Sequence, residues 1–468
     1  MQYTQIASLL SPELLLVVFA LIIPLIGLFA VKNNAKVLGG LGLIALLGAF
    51  VLSLGLLGIN VTLLGVYQVD SYAIFFKIVF LTVGILVAIA SILYMKEEPH
   101  QAEYYSLLLL ATVGMMVVAS SSDLITLFVG LELASLSTYA LAAFIKSDPQ
   151  CSEAAMKYFL IGALSSALAL YGISLVYGIT GTTNILLAAN SPAIASFQPV
   201  AVIAAVFMIA GFGFKMAAVP FHMWAPDTYH GAPTTISAFL AAGSKKMGFA
   251  AAFKIFMIAL IAIKADWSVL FGILAAVTMT LGNVVAISQR SIKRMLAYSS
   301  IGQAGYIMVG LAVATPLGVA AGLLQILAHG IMKAGAFIAA AAVTYMLVRD
   351  YGSKYKAQSD GGELTTDDIE AYAGLGKRAP VTAFCMLIFM LSLAGVPPLF
   401  GFVSKFWIVM AAVNAGGWLI WLAIILVLNS ALSVYYYVRV IRYMYVLPPR
   451  ETAYAAKGGE PLAFVVPI

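Results

Sequence analysis

The chain has 468 residues, 63% of them hydrophobic and only 9% charged, with a formal net charge of +6 and a mean hydropathy of +1.04. Soluble domains carry about 45–50% apolar and about 25% charged residues, so a water-soluble fold is excluded. Scattered basic residues exclude nucleic acid as a partner, and two cysteines, Cys151 and Cys385, make neither a disulfide framework nor a CxxC metal site.

In chain order, apolar runs predict helices over 13–31, 37–59, 72–95, 104–119, 121–145, 154–180 and 196–221. Further runs follow at 232–263, 268–289, 297–313, 316–348, 380–412 and 417–446, making thirteen transmembrane helices. These runs are too long for barrel strands, and an open sheet is not viable in lipid, so the class is an all-α polytopic membrane protein. The first run lacks a basic lead and a small-residue cleavage site, so it reads as a span rather than a signal peptide. Beyond a basic segment, Pro461-Leu-Ala-Phe-Val-Val-Pro-Ile468 reads as the start of a fourteenth helix in a truncated chain; a short interfacial tail is the alternative.

Loops after odd-numbered helices hold Lys32, Lys36, Lys96, Lys146, Arg290, Lys293, Arg294, Arg349, Lys354, Lys356, Lys377 and Arg378, with Arg439, Arg442, Arg450 and Lys457 at the end. Loops after even-numbered helices hold only Lys264. This positive-inside bias puts the odd loops in the cytoplasm and the N-terminus on the non-cytoplasmic side.

The remaining basic residues lie within the spans and are all lysine: Lys77, Lys157, Lys215, Lys245, Lys246, Lys254, Lys333 and Lys405. Among acidic residues, only Glu132 falls well inside a helix. A charge at mid-bilayer costs roughly 2.5–3.5 kcal/mol on insertion scales, so deep charges need a reason. Lys77, about one turn into its helix, is expected to snorkel to the interface. Lys157 and Lys254 divide between snorkelling and function. Lys215, Lys245, Lys333 and Lys405 are too deep to escape and read as functional. Lys246 points about 100° away from Lys245, so at most one of the two faces a given path. Lysine, unlike arginine, can give up its proton when buried. His329 and Lys333, four residues apart, share a helix face, which makes proton relay and a plain core histidine equal readings.

Two lysines sit beside helix breakers, in Gly211-Phe-Gly-Phe-Lys215-Met-Ala-Ala-Val-Pro220 and in Ala394-Gly-Val-Pro-Pro398-Leu-Phe-Gly-Phe-Val-Ser-Lys405. Interrupted helices in two halves of a membrane chain point to a transport site in a repeat fold. Ala155-Met156-Lys157 and Ile331-Met332-Lys333 echo each other at a similar offset. Together they divide the chain into a three-helix segment (1–100), inverted five-helix repeats at 101–263 (helices 4–8) and 264–446 (helices 9–13), and a cytoplasmic tail (447–468). In the turn between helices 7 and 8, His222, Asp227 and His230 are a weak metal candidate; the blander expectation is that Asp227 caps helix 8.

The segment Phe214-Lys215 through Pro220-Phe-His-Met-Trp-Ala-Pro-Asp-Thr-Tyr-His-Gly-Ala-Pro233 to Ser244-Lys245 resembles the antiporter-like subunits of respiratory complex I and of multisubunit sodium/proton antiporters. Leu131-Glu132-Leu133, Ala297-Tyr-Ser-Ser-Ile-Gly-Gln303, His329 with Lys333, and Gly401-Phe-Val-Ser-Lys405 extend the likeness over nearly the whole chain. Lysine at 405 and Tyr435-Tyr-Tyr-Val-Arg-Val440 are similar to the N-type branch of bacterial NADH–quinone oxidoreductases. The resemblance implies fourteen spans with broken seventh and twelfth helices. It implies Glu132 paired with Lys215, Lys245, His329 and Lys333 on a central hydrophilic axis, and Lys405 in the exit half. It further implies a proton-translocating subunit of the bacterial inner membrane, beside other membrane-arm and antiporter-like subunits. No cofactor is expected in this chain, the NADH, flavin, iron–sulfur and quinone sites falling on partner subunits. A sodium/proton antiporter subunit, a membrane-bound hydrogenase subunit and an inert structural subunit remain alternatives.

Overall fold

The computed structural model describes residues 3–31, 34–351, 357–359, 362–448 and 459–468. Lys32, Lys354, Lys356, Arg450 and Lys457 of the loop-charge pattern lie outside the described residues. Among the described residues, eleven helices are long and apolar enough to cross a membrane. The chain is an all-α polytopic membrane protein, and among the described residues its strands form two short hairpins.

Helix starts follow the local chemistry. Asp70 caps Ser71–Tyr94 by accepting from Ala73 N–H at 2.7 Å. Asp123 caps Leu124–Ala142 through the N–H groups of Ile125 and Thr126, and Asp148 precedes Pro149 at the head of Pro149–Thr180. In each case a short acceptor satisfies donors that a helix start leaves free.

Three expected runs differ. The twelfth is two helices, Pro380–Ala394 and Phe400–Ala415, parted by left-handed Gly395 (φ 91°). The eighth is a series: Thr234–Phe239, a π turn at Leu240–Ser244, Lys245–Lys254 and a second π turn at Ile255–Ala259. The seventh stops at Met216, and a short helix, Trp224–Gly231, fills the stretch read as a simple turn. Asp227 lies inside that helix and does not cap the next, whose N-cap position is Pro233. A hairpin of Val61–Leu63 and Tyr67–Val69 was not legible, because three-residue strands carry too little alternation to register.

Cross-links between helix ends define two faces. On one, Arg439 bonds the carbonyls of Ile287 and Gln289, and Tyr94 meets Thr234. On the other, Gln198 bonds Asp266 and Lys264 bonds the Ala314 carbonyl. The 18-residue core of Ile292–Val313 is 94% buried, against 28% for Ser11–Phe29, so the former is the hub and the latter faces outward. The hub packs closely on Lys264–Ser288 because a Cβ at Gly305 would meet Met279 N at 2.6 Å; small residues permit such approach where water supplies no drive. Near the C-terminus, Phe464 of Leu462–Val465 packs on Tyr94 and Tyr345.

Candidate functional site: a buried lysine row

Lys215 is the second-last residue of Gln198–Met216, which ends because Ala217 adopts left-handed geometry (φ 54°). Trp224 Nε1 closes the break by donating to the Phe214 carbonyl at 2.9 Å. The Lys215 ammonium is buried, 3.4 Å from the Tyr139 hydroxyl. Rings of Tyr139, Phe214 and Tyr158 lie 5.0, 5.1 and 5.5 Å away, a set of π faces that favours a cation. Glu132 stands two turns before Tyr139 on the same helix and accepts from Ser166 Oγ at 2.5 Å. Glu132 and Lys215 form no direct ion pair among the described residues, contrary to expectation. The Tyr139 hydroxyl holds the lysine and Ser166 holds the carboxylate.

At the centre, Lys245 donates to Ser300 Oγ at 2.8 Å, with the Tyr229 ring 5.6 Å away. Lys333 donates to the Leu296 carbonyl at 2.9 Å and contacts Ser299 Oγ. Two consecutive serines of the hub helix therefore receive lysines from two different helices. His329 shares a helix with Lys333, yet its close partner is Lys246, whose Nζ meets His329 Nδ1. Lys246 also reaches the Ala241 carbonyl, 3.4 Å away in the π turn; such turns expose backbone acceptors at functional sites. Angular spacing says only that Lys245 and Lys246 do not both face one path. The doubled lysine was the available signal, but only the fold places a histidine opposite the second.

Toward the second break, Lys405 donates to the carbonyls of Leu393 (2.8 Å) and Ala394 (3.1 Å) and to Ser430 Oγ (2.9 Å). Those carbonyls end Pro380–Ala394, where free acceptors and the negative end of the helix dipole favour a cation. Gln303 of the hub also reaches Leu393 O, at 3.0 Å. Gln325 donates to Gln303 Oε1 at 2.7 Å, and Ser404 donates to Gln325 Oε1 at 2.5 Å. Ser299 and Ser300 thus hold Lys333 and Lys245, while Gln303, Gln325 and Ser404 form a chain that ends on the carbonyl shared with Lys405. Four of these residues lie in the quoted motifs but only the fold gives them partners, and Gln325 carried no sequence signal. Hydroxyls and amides both donate and accept, so they can bridge groups that only donate.

Other lysines stand apart. Lys77 does not snorkel: it is fully buried, 2.9 Å from Glu13 Oε1. Glu13 is therefore a buried carboxylate that its place in a first turn concealed, more deeply enclosed than the half-buried Glu132. Lys157 lies at the surface, paired with Glu153 (2.8 Å) and Asp227 (2.9 Å), so the lysines of the echoed tripeptides occupy unlike environments. Arg294 joins Asp227 at 2.9 Å. Burial pushes the Asp227 carboxyl up, but Lys157 and Arg294 outweigh it and hold the group below the usual carboxylate range. Burial pulls His230 down, partly opposed by Asp367. Among the described residues no group of three or more His, Cys, Asp or Glu side chains is placed to hold a metal.

Residues 121–433 match the family model described as NADH:quinone oxidoreductase/Mrp antiporter, transmembrane. The chain belongs to this family. Over 94% of its length it is 50% identical to F(420)H(2) dehydrogenase subunit N of Methanosarcina mazei, covering 89% of that protein. It is 44% identical to NADH-quinone oxidoreductase subunit N of Trichlorobacter lovleyi, covering 95% of this chain and 88% of the relative. Among solved structures, a chain of respiratory complex I from Thermus thermophilus superposes with a TM-score of 0.78 at 30% identity, over 97% of this chain and 95% of that one. The matched region contains Glu132 and every lysine of the buried row.

Proposed function

We propose that this chain is a proton-translocating membrane-arm subunit of a multisubunit respiratory oxidoreductase. In this reading it has no redox centre of its own and sits in the cell membrane among other antiporter-like subunits, its N-terminus on the non-cytoplasmic side. Its relatives are named for two electron donors, NADH and F420H2. Donor identity therefore belongs to partner subunits, and the shared task of this subunit is moving protons. Chain segments 101–263 and 264–446 act as inverted repeats, each contributing one broken helix with a lysine at its break.

The observation that carries the reading is that Lys245 and Lys333 are bonded to consecutive serines of one hub helix, whose Gln303 shares the Leu393 carbonyl with Lys405. A hydroxyl between two amines accepts a proton from one side while donating its own to the other, so charge moves without a large displacement. Redox events elsewhere in the assembly shift the electrostatic balance at Glu132 and Lys215. A proton then passes by way of Lys245, with Lys246 and His329 alongside, to Lys333 and Lys405. Replacing Lys215 or Glu132 by alanine in the complex, reconstituted in vesicles, lowers protons moved per electron pair. Unchanged stoichiometry with both residues replaced overturns these roles.

The family description also names an antiporter, which supports a second reading, cation–proton exchange driven by gradients alone. Sodium-dependent proton flux without any electron donor would favour that reading.

A further inference from the structure

Away from the lysine row, on the face that carries the Val61–Val69 hairpin, lies a cavity of about 330 Å³. Its walls include Asp70, Tyr72, Ser122, Leu186, Lys254 and Met257. Lys254 is 5% exposed. Its Nζ donates to the carbonyls of Ala119 (2.6 Å) and Ser121 (2.7 Å), with the Tyr72 ring 5.3 Å away. An ammonium has three donors, so one remains beyond those two carbonyls. Asp70 spends Oδ1 on the Ala73 N–H, and its Oδ2 has no partner among the described residues.

Depth and shape point the same way. The cavity is framed by the start of Ser71–Tyr94, by Ser121 and Ser122 just beyond Gln101–Ser120, by the start of Ile185–Ala189, and by the end of Lys245–Lys254 with the π turn Ile255–Ala259. Helix ends of a membrane protein lie at the boundary between hydrocarbon and headgroups. At the mouth, Leu186 and Ile258 are 63% and 38% exposed, so apolar surface runs outward from a pocket holding one cation and one anion. The volume falls in the range of about 300–1,000 Å³ typical of small-molecule sites.

We propose that this cavity binds one phospholipid whose headgroup carries a primary ammonium. The phosphate ester takes the remaining Lys254 donor, the ammonium faces Asp70, and the acyl chains leave past Leu186 and Ile258. Charge complementarity selects this occupant: an anionic headgroup leaves Asp70 opposed by like charge, and a quaternary amine cannot donate to it. The site is independent of proton translocation.

The test uses the assembled, delipidated complex in detergent. Short-chain phosphatidylethanolamine, phosphatidylcholine, phosphatidylglycerol and inorganic phosphate are added separately, and bound molecules are counted by native mass spectrometry. The wild type retains one more phosphatidylethanolamine than Leu186→Trp, which fills the exposed mouth and leaves the core untouched. Asp70→Asn preserves the helix cap but abolishes preference for the ethanolamine over the choline lipid. Lys254→Met weakens retention about tenfold, the value of one charge-assisted hydrogen bond. Equal retention by wild type and Leu186→Trp overturns the proposal. So does preference for the glycerol lipid, binding of inorganic phosphate in place of lipid, or protein density filling the cavity in the assembled complex.

Discussion

Replacing Gln303 by leucine removes the amide that shares the Leu393 carbonyl with Lys405, without changing any charge. In the structure Gln303 donates to Leu393 O at 3.0 Å and accepts from Gln325 Nε2 at 2.7 Å. Leu393 O keeps its bond from Lys405 at 2.8 Å, so only the Gln325 amide loses a partner. A stranded buried donor costs about 1–3 kcal/mol, and the added apolar side chain returns roughly 1 kcal/mol. The net loss is small beside the ~5–15 kcal/mol stability of a folded domain, so the variant assembles. Gln303 carries no proton itself but positions the Lys405 site, and a misplacement of about 1 Å costs about 100-fold in rate. Purified complex in vesicles, with a pH-sensitive dye and donor oxidation followed together, should show fewer protons moved per electron pair than wild type. Native gel electrophoresis establishes assembly beforehand. Wild-type rate and stoichiometry in an assembled Gln303→Leu complex would refute the argument that this bridge positions the proton path.

Glu13→Gln should leave Lys77 buried without its counter-charge, at about 3–5 kcal/mol, with Lys77→Met alone similarly harmful. The double variant Glu13→Leu/Lys77→Met recovers most of that loss in the thermal midpoint of the complex; strictly additive losses would contradict the pairing. Asp227→Asn removes two partly exposed ion pairs and should cost about 1 kcal/mol in total. Burial of Asp227 is outweighed by Lys157 and Arg294, so its folded pKa lies below the unfolded one. Its stabilisation is therefore present above about pH 4 and lost as pH falls through the folded value. The stability gap between wild type and variant should close in acid and shrink with added salt; a gap that persists through both excludes an electrostatic origin.

Much of the architecture was legible beforehand, for a specific reason. A span needs about 20 consecutive apolar residues, a requirement written locally, so the runs could be placed. The breaks near Lys215 and Lys405 were equally visible, because proline and glycine act on their own backbone. The partners of buried charges were not visible. Lys77 looked free to snorkel because Glu13 belongs to another helix, more than sixty positions earlier in the chain. Lys246 looked misdirected because the angle from Lys245 says nothing about which helix supplies His329. Lys157 stayed divided between snorkelling and function because hydropathy cannot tell that Glu153 and Asp227 hold it at the surface.

The amino-acid sequence by itself determined the solvent, the apolar runs, the two interruptions and the cost of each deep lysine. All of these sum transfer energies and backbone preferences one residue at a time. Tertiary structure decided which lysine meets which serine, glutamine or histidine, and that Glu132 and Lys215 are held by intermediaries. Those contacts depend on which helices touch and at what depth. In lipid that choice is set by close packing at small residues such as Gly305 and by pairing of scarce polar groups. Such terms exist only between segments, so they appear only once the helices are assembled.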